Sequence, residues 1–268
     1  MDNLAAKAVE NLENIKKNKP LIHNITNYVV MNFTANVLLA MGASPVMAHA
    51  VNEVSEMAAI ASALVLNIGT LSDPWIAAMM TAGRKATELG TPIVLDPVGS
   101  GATTLRTSTA RAIIQQTRTS VIRGNASEIL SLGDAGARTK GVDTLHSVDE
   151  AAETAKELAR ALNTTLAITG AVDLVTDGVR VVRVANGHPL MPVITGSGCA
   201  ATAVVGAFLA VDKNPVTAAA TALAFLGLAG EKAGDQAAAP GSFQVALLDA
   251  LYTITPAELG QKCRLSGD

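Results

Sequence analysis

Charge is scarce in this chain. Only 16% of its 268 residues are charged, and they sum to a net charge of -3 with no basic cluster. A basic face is the electrostatic footprint of nucleic-acid binding, so no nucleic-acid partner is expected. Cysteine is scarcer still. Cys199 and Cys263 offer neither a disulfide framework nor zinc-site spacing. Aromatics make up 3%, with Trp75 the single tryptophan, and they read as core. There is no G-x-x-x-x-G-K-[ST], so a Walker-type phosphate loop is excluded. Mean hydropathy is high at +0.34. Yet the small-residue run Ala200–Val211 is too short to cross a bilayer, which takes about 20 apolar residues. No membrane association is expected. The N-terminal stretch carries Glu10, Glu13, Lys16, Lys17 and Lys19 without an apolar core, unlike a signal peptide. The expected location is the cytoplasm.

Apolar residues, by contrast, reach 49%, and the surplus is mostly alanine. That suits tightly packed buried helices or a subunit interface. One stretch organises the rest: Thr195-Gly196-Ser197-Gly198-Cys199, between the extended run Leu190–Ile194 and the segment Ala200–Val211. It reads as strand, glycine turn, helix. Glycines at 196 and 198 keep Cβ atoms out of the turn, so a ligand can approach the backbone. The free N–H groups of Gly196, Ser197 and Gly198 and the helix dipole then make an anion hole. Cys199 falls in the first helical turn, where a thiol is more acidic than usual.

Helical periodicity marks Asp2–Asn18, Asn27–Met41, Asn52–Ser62, Asp73–Leu89, Thr104–Thr117, Asn125–Leu132 and Asp149–Leu162. Asp73-Pro74 reads as a cap followed by proline at the first helical position. Short apolar strands fall at Leu21–Ile25, Ser44–Ala48, Ala63–Ile68, Pro92–Leu95, Ser120–Ile122 and Leu166–Ile168. Asp173–Ala185 reads as a hairpin about Asp177-Gly178. Ala-rich helices close the chain. The alternation predicts one α/β domain over residues 1–268, with a mainly parallel central sheet and helices on both faces.

In such sheets ligands bind beyond the carboxyl ends of the strands. His23, Asn24 and Asn27 follow the first strand; Met47, then Asn67 and Gly69, then Asp96, Arg123, and Thr169 with Gly170 end the others. Each alone reads as a cap. Together they form one polar rim that includes Asp96, Glu128 and Arg123 beside an anion hole. Such a set suggests a nucleotide phosphate with Mg²⁺. Glu128 also has a purely structural reading, as the partner of Asn125 in a capping box. Gly196-x-Gly198-x-x-Ala201 matches a dinucleotide fingerprint only formally, because no strand with a terminal acid follows. The histidines at 23, 49, 146 and 188 lack metal-ligand spacing. A dyad of Cys199 with His23 or His188 would mark a thiol enzyme.

Six blocks in this order carry a resemblance over nearly the whole chain: Pro20–Asn27, Gly42–Met47, Asn67–Thr70, Leu95–Gly99, Arg123–Asn125 and Thr195–Cys199. They resemble hydroxyethylthiazole kinase. The resemblance implies a ribokinase-like fold and ATP-dependent phosphorylation of 4-methyl-5-(2-hydroxyethyl)thiazole in thiamine salvage. Met47 and Gly196 would contact the thiazole, with Asn27 and Gly69 nearby. Arg123 and Thr169 would contact ATP, and Asp96 and Glu128 would organise Mg²⁺, partly through water. A homotrimer with sites between subunits is also implied. Other ribokinase-like enzymes carry Asp as general base where Cys199 stands. The alternatives are a cysteine hydrolase or acyltransferase and a vitamin-precursor binding protein without turnover.

Overall fold

A computed structural model describes residues 3–133 and 148–267, so His146 lies outside the described residues. In chain order the elements are α1 Leu4–Asn18, β1 Leu21–Ile25, α2 Met31–Met41, β2 Ser44–Val46, α3 Val54–Ile60, β3 Ala63–Asn67 and α4 Asp73–Leu89. Next come β4 Ile93–Asp96, α5 Thr104–Gln116, β5 Thr119–Asn125, α6 Ala126–Leu130, α7 Val148–Leu162, β6 Thr165–Thr169, β7 Asp173–Thr176 and β8 Val181–Val184. A 3-10 turn, Met191–Val193, precedes α8 Ser197–Leu209, α9 Pro215–Gly234, α10 Pro240–Thr253, α11 Pro256–Lys262 and β9 Leu265–Gly267.

The strands form one sheet in the order β2-β1-β3-β4-β5-β6-β7-β8-β9. Pairing is parallel from β2 to β6 and antiparallel from β6 to β9. The chain leaves β1 towards β2 and returns to β3 on the other side. That reversal opens a crevice at the carboxyl ends of β1 and β3, where ligands of doubly wound sheets bind. β3 is buried along its whole length, as a Val/Leu run covered on both faces should be.

Each face has its own core. Ile22, Val65, Val94 and Val121 point towards α1, α2, α8, α9 and α10. Leu64, Leu66, Ile93, Leu95 and Ile122 point towards α3, α4 and α5. In α8 every residue from Ala200 to Leu209 is buried, and α9 is buried almost throughout. Helices apolar all round belong inside a fold. The alanine surplus is therefore consumed within one chain. Gly206 explains how α8 lies so close: a Cβ there would stand 2.7 Å from Val65 Cγ2. Among the described residues no helix is long and apolar enough to cross a membrane.

The extended lead-in expected at Leu190–Ile194 is instead the 3-10 turn. Pro192 has no N–H to give to a ladder, and the N–H groups of Met191 and Val193 turn back to His188 and Leu190 carbonyls. The glycine motif therefore does not end a sheet strand; it is carried to the site on α8. Boundaries move elsewhere too. β5 runs on to Asn125, so Arg123 lies within a strand, and His23 and Asn24 lie within β1. The cap of α4 falls on Ser72, one residue before Asp73. β9 was not expected from sequence.

Candidate active site

Asn67 ends β3 at the crevice and is 1% exposed. Its amide bonds through both the oxygen and the nitrogen. Oδ1 accepts from Asn27 Nδ2 at 2.8 Å and from the Gly69 N–H at 3.0 Å, while Nδ2 donates to Asp96 Oδ2 at 2.8 Å. Asn27 Nδ2 also donates to Cys199 Sγ at 3.4 Å. Thr202 Oγ1, one turn into α8, donates to Asp96 Oδ2 at 2.8 Å. Cys199, Asn27, Asn67, Asp96 and Thr202 thus form one connected polar chain across the loop after β1, the ends of β3 and β4, and α8. Gly69 packs against it so closely that a Cβ would stand 2.6 Å from Asn27 Nδ2.

The turn into α8 needs its glycines. Gly196 has φ +89°, and a Cβ there would meet Val30 Cγ1 at 2.8 Å. A Cβ at Gly198 would meet Arg123 Nη1 at 2.8 Å, so the guanidinium lies against the motif's backbone beside Ser197. Arg123 Nη2 donates to Thr169 Oγ1 at 2.6 Å, and its buried Nε has no partner among the described residues. Just beyond β6, Asp173 Oδ1 accepts from the Gly170 N–H at 3.0 Å.

Burial dominates the electrostatics. It pushes Asp96 up to about 6, against the pull of Arg123 and its two hydrogen-bond donors. It pushes the Cys199 thiol up to about 11, and the neighbouring Asp96 charge adds to the rise. The expected acidic thiol is therefore corrected: desolvation and an adjacent carboxylate outweigh the helix dipole. Nor is there a dyad. Cys199 receives its hydrogen bond from an amide, His23 Nε2 donates to the Ala48 carbonyl at 2.8 Å, and His188 stacks on Phe243.

Glu128 forms the capping box. Its Oε2 accepts from the Asn125 N–H at 2.9 Å, and Asn125 Oδ1 accepts from the Glu128 N–H at 2.9 Å. Its Oε1 accepts from the Gly99 N–H at 2.9 Å, which ties α6 to the loop after β4. Its charge also reaches Asp96 and raises that acid further. Among the described residues no group of three or more His, Cys, Asp or Glu could hold a metal alone. Asp96 nevertheless fits a hard cation shared with phosphates and water: both hydrogen bonds found on it fall on Oδ2.

Met47 lies half-buried just past β2. Its carbonyl accepts from His49 Nδ1 at 3.1 Å, and His49 stacks on Trp75 with centroids 4.0 Å apart. Tyr28 tilts against the same indole at 4.7 Å. Thr202 and Asp173 were not singled out from sequence. A lone Thr three residues after Cys199 in a buried apolar helix was the signal for the first, because i and i+3 share a face.

The model of the hydroxyethylthiazole kinase family matches residues 12–257. The chain belongs to this family. A hydroxyethylthiazole kinase of Desulfotalea psychrophila is 64% identical over 265 residues, covering 99% of this chain and 97% of that one. The solved hydroxyethylthiazole kinase of Pyrococcus horikoshii superposes with a TM-score of 0.89 at 45% identity, covering 97% of this chain and 98% of that one. A ribokinase-like protein of Enterococcus faecalis shares the fold alone, with a TM-score of 0.64 at 12% identity, covering 92% of this chain and 95% of that one. Five of the six blocks that carried the resemblance converge in space: Asn27, Gly69, Asp96, Arg123, Gly198 and Cys199 all belong to the contacts described above, whereas Met47 of the Gly42–Met47 block contacts His49 instead.

Proposed function

We propose that this kinase transfers the γ-phosphoryl group of ATP to the hydroxyl of 4-methyl-5-(2-hydroxyethyl)thiazole, with Mg²⁺, in thiamine salvage. The observation that carries the residue roles is the connected chain from Cys199 through Asn27 and Asn67 to Asp96, lying beside Arg123 on the Gly198 backbone.

Asn27, Gly69, Gly196 and Met47 line the acceptor side, where the thiazole binds. Arg123 and Thr169 hold ATP phosphate on the other side. The guanidinium can turn its fork to phosphate oxygens, and the backbone N–H groups at Gly196, Ser197 and Gly198 add neutral donors. Mg²⁺, held by Asp96 and through water by Glu128, would neutralise developing phosphate charge. Asn67 and Thr202 fix the Asp96 carboxylate in one orientation, so its charge is aimed before substrates arrive. Phosphoryl transfer asks mainly for such positioning, because its transition state is loose. The substrate hydroxyl gives up its proton late, to an oxygen of the transferred phosphoryl group, and Cys199, as a neutral thiol, orients that hydroxyl rather than taking the proton. The chain acts in the cytoplasm, where ATP is available, as a homotrimer with sites between subunits. Tyr28 at 61% and Val29 at 66% exposure, both beside the acceptor side, support a site completed by a neighbouring copy.

Coupled ADP release with hydroxyethylthiazole, with and without EDTA, tests the reaction. Thiazole binding without ADP release would instead make the chain a binding protein. Light scattering that reports a 27.3 kDa monomer would remove the trimer.

A further inference from the structure

Arg106 stands in the first turn of α5 and reaches back over two strand ends. Its Nη1 donates to the Val98 carbonyl at 2.6 Å and to the Ile68 carbonyl at 3.3 Å. Its Nη2 donates to the Gly69 carbonyl at 2.6 Å. These acceptors belong to two separate loops. Ile68 and Gly69 leave β3, whereas Val98 leaves β4 two residues after Asp96.

Gly99 lies directly beneath the guanidinium. It has φ +70°, and a Cβ there would stand 3.1 Å from both Cδ and Nη1 of Arg106. Its N–H is taken by Glu128 Oε1 at 2.9 Å. The loop after β4 is therefore held by a cation on its carbonyl and an anion on its N–H. On the β3 side, the Gly69 carbonyl meets Arg106 while its N–H meets Asn67 Oδ1 at 3.0 Å. Both loops are thus fixed at donor and acceptor, and the guanidinium is the group common to them.

The planar fork of Arg presents donors at fixed angles and can span two loops at once. A Lys ammonium is a point donor and cannot reproduce that geometry. A half-buried charge placed against main-chain carbonyls adds no partner charge, so its contribution is one of shape and distance.

We propose that Arg106 is a positioning residue for phosphoryl transfer: it sets the separation between the β3 loop that receives the acceptor alcohol and the β4 strand end that bears Asp96. This rests on the reading that Gly69 lines the thiazole site and Asp96 serves the metal. It concerns neither the Arg123–Thr169 phosphate contacts nor the chemistry of Cys199.

The test uses the full-length enzyme, with ADP release by the wild type first. No turnover there would sink the kinase reading itself, independently of Arg106. In Arg106→Lys, KM for hydroxyethylthiazole should rise roughly tenfold and kcat should fall roughly tenfold, since a displacement of about 1 Å can cost about 10²-fold. KM for ATP should rise less than that for the alcohol, because Arg106 touches neither Arg123 nor Thr169. In Arg106→Ala, added guanidinium chloride at non-denaturing concentration should restore part of kcat. The same addition should leave Arg118→Ala, an exposed site just before β5 at the amino-terminal end of the strands, unimproved. Wild-type kinetics in Arg106→Lys would overturn the proposal. So would a lowered melting temperature with unchanged KM in the folded fraction, or a rise in ATP KM equal to that for the alcohol. A folded Arg106→Ala that guanidinium does not rescue would also overturn it. If Arg106→Ala does not fold, the kinetics of Arg106→Lys decide alone.

Discussion

The two halves of the site are built differently. On the proposed acceptor half, Asn67 bonds through both its Oδ1 and its Nδ2, Asp96 Oδ2 takes two donors, and Asn27 reaches both Asn67 and Cys199. On the proposed nucleotide half, among the described residues Arg123 has one side-chain hydrogen bond, to Thr169, and a buried Nε without a partner. A buried donor left unpaired is costly, and that cost falls away when a ligand supplies the acceptor. Under the proposed function, the acceptor half is organised before substrate arrives, while the nucleotide half would be completed by its ligand. Fixed dipoles serve to orient a small neutral alcohol; an open cation serves to capture a polyphosphate.

Breaking the finished half should cost most. Asp96→Asn keeps the shape and still accepts from Asn67 and Thr202, but removes the charge. Turnover should fall by about 10²- to 10³-fold, the scale of losing one preorganised electrostatic group. A Mg²⁺ titration of this variant that overlays the wild type would show Asp96 to be only a turn-former before Pro97. Breaking the open half should cost less and differently. Arg123→Ala should raise the KM for ATP about 10- to 10²-fold, matching about 1.5–3 kcal/mol for hydrogen bonds to a charge, with thiazole binding little changed. Unaltered ATP kinetics in the folded variant would remove Arg123 from the nucleotide site.

A third outcome concerns stability rather than rate. Asp96 has a folded-state pKa raised from 3.8 to about 6 by burial. The folded state therefore holds its proton more tightly than the unfolded one. Any stabilisation relative to an ordinary Asp is present below about pH 4 and is lost as pH rises through 6. Above that the ionised group costs about 3 kcal/mol, at 1.36 kcal/mol per unit. Asp96→Asn should accordingly melt higher than the wild type at pH 8, with the gain shrinking towards pH 4, even as activity is lost. Equal melting temperatures across that range would show that the carboxylate is not strained by its surroundings.

The smallest effect is expected at Cys199. With its thiol pushed up to about 11, only about one part in 10⁴ is thiolate at pH 7. Iodoacetamide should react slowly, and Cys199→Ser should keep kinase activity within about tenfold of the wild type, below the 10²–10⁴-fold typical of a true general base. Rapid alkylation at pH 7, or complete loss of turnover in a Cys199→Ser variant that still binds substrate, would make the sulfur more than a neutral hydrogen-bonding group.

Much of this architecture was legible before the fold was known. The buried runs at Ala63–Ile68 and Pro92–Leu95 announced parallel strands, because only strands covered on both faces read as unbroken apolar runs. The polar residues at and just past their ends, Asn67, Gly69 and Asp96, marked by position alone the edge where the site is proposed. What sequence hid was mostly contact across distance. Leu190–Ile194 looked extended because its residues are apolar, but Pro192 and the return to α8 made it a turn. Thr202 and Asp173 gain their meaning only when α8 docks beside β4 and β7 folds back on β6. Cys199 was misjudged because the helix terminus is visible in sequence, whereas the desolvation and the Asp96 charge that oppose it are not. Glu128, weighed from sequence as either a cap or a metal-site acid, has its cap in place and still lends its charge to the neighbouring Asp96.

The close seat of α8 on β3, made possible by Gly206, also fixes when the site can come into being. Thr202 is 106 residues from Asp96 in the chain, and Cys199 is 172 from Asn27. Contacts that distant are entropically slow to form and dominate the folding time of a parallel sheet. On a ribosome, a chain that has emerged only as far as β6 would own Asp96 and the loops after β1 and β3, but would lack the helix that closes them. Neither substrate would stabilise that nascent chain, because each ligand pulls only on the state that binds it. Until the last quarter is made and α8 docks, the exposed apolar face of β1, β3 and β4 would depend on rapid synthesis or on chaperones for its protection.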